Sequence, residues 1–193
     1  MTRPANANAG LETKSLILDA CVVINLYSTG RMEEIIAAQS APVCTTKRIR
    51  RDEALVVGHS KESEDETTLE LVDLESMIAA GSLTILEVRG ELENDSLILF
   101  ARDLDDGEAE CGAIAVNREM VVVTDDKKAI RIFTNHQPRV RLMRTSQILF
   151  NWAARREPGD AVVRDTLQAI RHRARFEPPV ADPLHDWWFS KSA

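Results

Sequence analysis

The residues of this sequence with the strongest potential for chemistry are acidic side chains at or near the ends of apolar segments. They are Asp19, Glu53, Glu108, Asp125 and Asp126. Asp19 directly follows the apolar run 16–18, and Asp125 follows the run 121–124. Carboxylate oxygens are the ligands that Mg²⁺ and Mn²⁺ prefer, and a bound cation can activate water and stabilise charge on a phosphate. The set therefore suggests metal-dependent hydrolysis of a phosphodiester.

A divalent cation also gives a reason for gathering these acids in one place. Neighbouring carboxylates repel one another and raise one another's pKa, and a bound cation offsets that cost. Glu108 and Asp126 lie near predicted helix N-termini, where the helix dipole favours an anion. The loop acids Asp103, Asp105 and Asp106 are predicted to be solvated, although Asp105 or Asp106 could serve if Glu108 points away.

The elements that must position these acids follow from the apolar pattern. Strands are predicted at 16–19, 43–46, 83–88, 120–124 and, as an edge strand, 140–143. Helices are predicted at 22–26, 32–39, 50–58, 67–80, 92–101, 108–118, from 125 onward, at 145–154 and at 160–174. Strands that alternate with helices predict a three-layer α/β/α fold with a central parallel sheet. Ligands of such sheets bind beyond the carboxyl ends of the strands, which is where Asp19, Asp125 and Asp126 are expected.

The composition is that of an ordinary folded protein and excludes several classes. Hydrophobic residues make up 44% of the 193 residues and charged residues 28%, which excludes a disordered chain. The three cysteines form no CxxC pair, and the four histidines have no zinc-site spacing, so we expect a reducing, cytoplasmic setting and no zinc site. No apolar run approaches the ~20 residues of a membrane span. The net charge of −7 argues mildly against unassisted nucleic-acid binding, but charge is unevenly distributed along the chain.

Three segments resemble motifs of PIN-domain ribonucleases. Leu16-Ile-Leu-Asp19-Ala-Cys-Val-Val-Ile-Asn25-Leu is similar to the opening motif of that family. Gly107-Glu108-Ala109 resembles the Gly-Glu-Ala helix of one branch, and Thr124-Asp125-Asp126-Lys127 resembles its Asp-Asp-Lys strand end. Glu53 falls where the family places its second acid. The resemblance covers roughly residues 14 to 145 and preserves the family's order of motifs.

The resemblance implies an Mg²⁺- or Mn²⁺-dependent endoribonuclease, and many members of the family are toxins silenced by an antitoxin protein. It implies that Asp19 and Glu108 bind the metal together with Asp125 or Asp126, between which the family's spacing does not choose, and that Glu53 assists catalysis. Candidate substrate contacts are Asn25, Thr124, Lys47, Arg50 and Arg51. The expected partners are an RNA substrate, an antitoxin and a second copy of the chain, with no membrane.

The predicted organisation has three parts. Residues 1–13 are predicted to form a flexible N-terminus, 14–156 a PIN-like nuclease domain, and 157–193 a C-terminal helix and tail. The chain extends well beyond a minimal PIN domain, and its tail ends in Trp187-Trp188-Phe189. We expect this tail to fold back onto its own domain.

Each acid also has a simpler interpretation, and other functions compete. Asp19 and the pair Asp125-Asp126 are good helix N-caps, Glu108 suits a first helical turn, and Glu53 suits a solvated helix surface. A phosphatase that uses Asp19 as nucleophile would need a second acid where Cys21 stands. A response-regulator receiver expects its acidic pair at the first strand, not after the fourth. The main alternative is a PIN-like module with weak catalysis that acts by binding protein or RNA.

Overall fold

The centre of the molecule is a five-stranded sheet in which every pairing is parallel. This computed structural model describes residues 14–51, 56–60, 67–136 and 138–193, with side chains described outside 51–69. The sheet consists of β1 (Leu16–Leu18), β2 (Val43–Thr46), β5 (Thr84–Leu86), β6 (Val121–Val123) and β7 (Arg141–Met143). Its spatial order is β5-β2-β1-β6-β7, so β1 and β6 are the inner strands on either side of the point where the order reverses. All residues of these two strands are buried, which explains their continuous apolar sequences.

Helices connect the strands and flank the sheet, as the sequence predicts for a three-layer α/β/α fold. In the described residues the helices are α1 (Ala20–Ser28), α2 (Met32–Ala37), α3 (Lys47–Arg51), α4 (Glu75–Ala79), α5 (Gly90–Phe100), α6 (Asp106–Asn117), α7 (Lys127–Asn135), α8 (Thr145–Arg156), α9 (Asp160–Ala169) and α10 (His185–Ser192). The small residues of α6 allow it to pack closely against β1, β2 and β6. Within the described residues, no helix has both the length and the apolar character needed to cross a bilayer.

Two predicted helices are wrong, because the segment between β2 and α4 contains an antiparallel hairpin. The predicted helix 50–58 is instead α3, which ends at Arg51, followed by β3 (Val56–Ser60). The predicted helix 67–80 is instead β4 (Thr67–Leu71) followed by the short α4. Among the described residues, β3 and β4 pair only with each other, in the register Val56↔Leu71 to Ser60↔Thr67. Pairing between two neighbouring segments decided the structure here, against the helical spacing of residues 67–80.

The C-terminal residues fold back onto the domain, as expected. α9 continues into a π-helical turn, Ile170–Ala174, and the chain then returns to α10. Trp188 is 1% exposed and stacks edge-to-face with Phe176. Asp182 is also buried, and both of its carboxylate oxygens accept from the Ser146 hydroxyl at 3.0 Å. The predicted flexible segment 1–13 lies outside the described residues.

Candidate functional site

The carboxyl ends of β1 and β6 lie side by side and bring their following residues together. Leu18 is in register with Val123, and the Asp19 amide continues the ladder by donating to the Val123 carbonyl at 3.0 Å. The sheet order reverses between these strands, which is the place where parallel α/β sheets bind ligands. Asp19 and Thr124 are therefore neighbours despite a separation of 105 residues in the sequence.

Asp19 is a buried carboxylate held by three hydrogen bonds. Its Oδ2 accepts from the Thr124 hydroxyl at 2.8 Å and from the Cys21 thiol at 3.3 Å. Its Oδ1 accepts from the Ala20 amide at 2.8 Å, so Asp19 is also the N-cap of α1. Burial raises the pKa of Asp19 above its usual value, and the hydrogen bonds oppose this rise. The hydrogen bonds thus fix the Asp19 side chain in place, while burial of its charge costs desolvation free energy.

Glu108 stands in the first turn of α6 and interacts with three other acids. Its amide donates to Asp105 Oδ1 at 2.9 Å, and its own carboxylate accepts from the Asp105 amide, which makes a capping box. Burial first, and then the charges of Asp105, Asp19 and Asp126, raise the pKa of Glu108 to about 7. We call Asp19, Asp105, Glu108 and Asp126 the acidic cluster. Its members lie close enough for each to make ionisation of Glu108 less favourable.

The structure separates the roles of the adjacent acids Asp125 and Asp126. Asp126 caps α7 by accepting from the Ala129 amide through Oδ1 at 2.8 Å. Its charge also helps raise the pKa of Glu108. Asp125 is held by α8: its Oδ2 accepts from the Thr145 hydroxyl at 2.5 Å, and its Oδ1 from the Thr145 amide at 3.3 Å. Asn25 adds a further bond to Asp125 Oδ2 at 3.2 Å. Asp126 is therefore the member of the pair that belongs to the acidic cluster.

Burial raises the pKa of Asp125 to about 6, although the hydrogen bonds from Thr145 lower it. Thr145 is a site residue that the sequence analysis missed. The only sequence signal for it is its position two residues after the end of β7, at the start of a helix. Nothing in that position identifies Asp125 as its partner, because the two residues meet only through the pairing of β6 with β7.

Asn25 and Thr124, predicted as substrate contacts, are both buried in the interior. Asn25 donates to Asp125 and to the Thr145 hydroxyl at 3.2 Å. Thr124 donates to Asp19, and its oxygen accepts from the Asp126 amide at 3.1 Å. Both side chains thus position carboxylates of this region.

The predicted basic substrate contacts on α3 are engaged in ion pairs. Lys47 Nζ lies 2.7 Å from Glu87 Oε1, and Arg50 pairs with Glu75 through two nitrogens. Their neighbour Arg48 pairs with Asp106 at 2.8 Å, which ties α3 to the start of α6. The side chain of Arg51 and all of Glu53 lie outside the described part of the chain.

No family model, curated protein or solved structure matches this chain.

The donor chemistry of the acidic cluster suits a hard divalent cation, but the ligands are not fully assembled. Among the described residues, no three His, Cys, Asp or Glu side chains form a group that could hold a metal ion. Mg²⁺ keeps several waters and commonly binds through one or two carboxylates, so a complete protein cage is not required. Mutual repulsion within the cluster favours any cation that enters. A cation bound here would therefore be held by few side chains and mainly by water.

Proposed function

We propose that this protein is a metal-dependent endoribonuclease of the PIN type that hydrolyses RNA phosphodiester bonds. The observation that carries the proposal is the acidic cluster at the point where the sheet order reverses, in which three neighbouring charges help raise the pKa of Glu108 to about 7. A site that concentrates negative charge at such a crevice is suited to a cation. The sequence motifs around Asp19, Glu108 and Asp126 add independent support.

In this proposal Asp19, Glu108 and Asp126 hold Mg²⁺ or Mn²⁺, with Glu53 assisting. The cation would lower the pKa of a bound water and stabilise charge on the phosphate. Asp19 presents a carboxylate whose direction is fixed by Thr124 and Ala20. Asp126 is fixed in the same way by the Ala129 amide. These bonds keep the acids in place before substrate arrives, which reduces the cost of reorganisation.

In the cation-free site, Glu108 changes its protonation state near neutral pH. A carboxylate with a pKa of about 7 can take up and release a proton under physiological conditions, which a carboxylate at its ordinary value of 4.5 does far less efficiently. A bound cation would lower this pKa again, so Glu108 would act as a ligand when the metal is present. Binding of the cation would therefore be coupled to loss of the proton from Glu108.

The test is RNA cleavage by the purified protein with Mn²⁺, with EDTA, and with Asp19→Asn. We expect cleavage with Mn²⁺ that is lost in EDTA and in the variant. Asp103→Asn is the matched control, because it makes the same chemical change on an exposed residue of the α5–α6 loop. Cleavage that persists in EDTA or in Asp19→Asn would rule out the mechanism.

A second candidate is a PIN-like module that binds protein or RNA and catalyses weakly. The absence of a three-ligand metal group among the described residues favours it. Thermal melting with increasing Mn²⁺ separates the two candidates, because an occupied site raises the melting temperature by mass action. A nuclease should show a rise that Asp19→Asn removes, whereas the binding module should show none.

We further propose a cytoplasmic protein whose partners include an antitoxin or a second copy of the chain. The three cysteines are free, which suits a reducing compartment. α5 exposes Leu92 and Ile98 at 74% and 63%, and exposed apolar side chains of this kind suit a protein partner. Light scattering of the protein alone, and with a co-expressed candidate antitoxin, tests these assignments.

A further inference from the structure

The helix that follows Asp126 carries an exposed cationic face. Lys127, Lys128 and Arg131 are all exposed and lie in the first five residues of α7. Residues three and four apart are neighbours on a helix surface, so the three cations form one patch. The patch begins one residue after Asp126, a member of the acidic cluster. We call these three residues the α7 patch.

The α7 patch makes no evident contribution to the stability of the fold. Across the described residues, none of its three cations forms an ion pair, in contrast to Lys47, Arg48 and Arg50 on α3. The first turn of α7 contains no acidic residue. Lysines in that turn stand at the positive end of the helix dipole, where a cation is destabilising. Cations kept at an unfavourable and exposed position suggest a role in binding an anion.

We propose that the α7 patch binds the phosphate backbone of single-stranded RNA and leads it into the acidic cluster. The inference rests on the proposed nuclease function and moves the RNA-binding surface from α3 to α7. Phosphate neutralisation by Lys and Arg supplies most sequence-independent affinity for nucleic acid. The positive N-terminus of α7 adds to the same potential. The cations of the α7 patch would also offset the repulsion between the phosphates of a bound strand and the neighbouring acids.

RNA is favoured over an acidic protein as the occupant because of where the patch begins. Lys127 is adjacent in sequence to Asp126, so a polyanion bound there is held next to the carboxylates proposed to cleave it. An acidic peptide would gain nothing from this proximity. Competition with poly-glutamate serves as a test of that second occupant.

The experiment is fluorescence anisotropy of a short labelled single-stranded RNA in EDTA, with the triple variant Lys127→Gln, Lys128→Gln, Arg131→Gln. We expect binding to weaken by about tenfold or more. The slope of log affinity against log salt should fall by about 2, because each phosphate contact to a single strand contributes about 0.7. The melting temperature should stay equal or rise, since the variant removes two charges that oppose the dipole.

The matched control neutralises three cations of the C-terminal segment, with Arg171→Gln, Arg175→Gln and Lys191→Gln. Arg173, in the same π-turn as Arg171, donates to the carbonyl of Ser28, at the opposite end of α1 from Asp19. This control changes the net charge equally and should reduce RNA affinity only slightly. An equal loss in both variants would overturn the inference in favour of a general charge effect.

The remaining outcomes separate the inference from the nuclease proposal. RNA that binds through the α7 patch but is never cleaved with Mn²⁺ would contradict the nuclease and leave the RNA surface standing. Cleavage and binding that are unchanged in the α7 variant would contradict the RNA surface alone. Displacement of RNA by poly-glutamate at equal charge concentration would assign the patch to an acidic protein and overturn the RNA assignment.

Discussion

Asp125 and Asp126 are adjacent in sequence and chemically identical, yet their surroundings assign them different tasks. Both carboxylate oxygens of Asp125 accept hydrogen bonds from α8, and a further one comes from Asn25. Asp126 uses Oδ1 for the cap of α7, and its charge acts on Glu108. Asp125 therefore ties the β6–α7 connection to α8, whereas Asp126 contributes its charge to the acidic cluster.

Substitution of each acid should separate these tasks. Asp126→Asn keeps the helix cap, since Asn caps as well as Asp, but removes the charge. It should leave the free energy of unfolding nearly unchanged and abolish the rise in melting temperature with Mn²⁺. Asp125→Ala should lower the free energy of unfolding by about 1–3 kcal/mol, because the Thr145 amide loses its acceptor. Urea unfolding measures the free energy of unfolding, and thermal melting with Mn²⁺ measures metal binding. If Asp125→Ala abolished the rise in melting temperature and Asp126→Asn did not, Asp125 would be the ligand.

Glu108 predicts how the stability of the cation-free protein depends on pH. Burial and the charges of Asp105, Asp19 and Asp126 raise its pKa from 4.5 to about 7. The folded state then holds more protons than the unfolded chain between these two values, so the free energy of unfolding falls as the pH rises through this range. Glu108→Gln should flatten that fall, as measured by urea unfolding in EDTA at a series of pH values.

Asp125 provides an internal check on that measurement. The pKa of Asp125 is raised from 3.8 to about 6. Ionisation of Asp125 therefore also lowers the free energy of unfolding as the pH rises, but over this lower pH range. The Glu108→Gln variant should keep this lower component and lose the upper one. A variant whose profile matches that of the native protein above pH 6 would show that Glu108 titrates normally.

The positions of the acids were predictable, whereas their orientations were not. Asp19 and Asp126 follow buried strands, and parallel pairing necessarily brings such residues to one edge of the sheet. The competing interpretation, that both are helix N-caps, is also correct, because each caps a helix and belongs to the cluster. No local pattern could show that Thr145 would hold Asp125.

At the scale of elements, the Phe133 side chain of α7 packs directly against Gly112 of α6. A Cβ at this position would overlap the ring of Phe133 on α7 and also approach Phe100 at 3.1 Å. Phe133 is 1% exposed and stacks edge-to-face on Phe100, so its ring has little room to move. This contact sets the spacing of the two helices that carry Glu108 and Asp126.

Gly112→Ala should destabilise the protein even though alanine is the better helix former. Overpacking of a core costs about 1–3 kcal/mol, which exceeds the helix gain of about 0.5–1 kcal/mol. In a Phe133→Leu background, the same substitution should cost less, because the smaller side chain leaves space. A double-mutant cycle by urea unfolding measures this coupling, and additive effects would exclude the contact as the cause.

The elements of the parallel sheet follow from the sequence, but the hairpin does not. The sequence predicts β2 with its observed bounds, and β1 and β6 within a residue or two. β1 and β6 are short apolar runs, and three of the four residues of β2 are β-branched, which favours a strand. Residues 67–71 belong to a segment with helical spacing, and only their pairing with 56–60 makes them a strand. Such pairing depends on residues elsewhere in the chain, so the local period was misleading.

At the scale of the whole molecule, the C-terminal segment is connected to the candidate site. Asp182 accepts from Ser146, the residue next to Thr145 in α8. Arg144 Nε lies 3.8 Å from Asp182, and the charges of both residues act on Asp125. The segment is therefore packed against the same helix terminus that holds Asp125.

Trp188→Ala tests whether the C-terminal segment folds together with the rest of the protein. Trp188 is 1% exposed, so its truncation should cost about 3–5 kcal/mol. We expect one cooperative urea transition at a lower midpoint. A loss of less than about 1 kcal/mol, or two separate transitions, would show that the segment unfolds independently.

The strand order has a consequence for how the protein is made. β1 is translated early, yet one of its two neighbours, β6, is translated about a hundred residues later, as the Thr124–Asp19 separation of 105 shows. Until β6 and α7 have left the ribosome, Asp19 has no Thr124 and no Asp126 beside it. A nascent or truncated chain that stops before residue 124 thus lacks both Thr124, which holds Asp19, and Asp126, a member of the acidic cluster. The proposed nuclease activity would therefore require a chain that extends at least through α7.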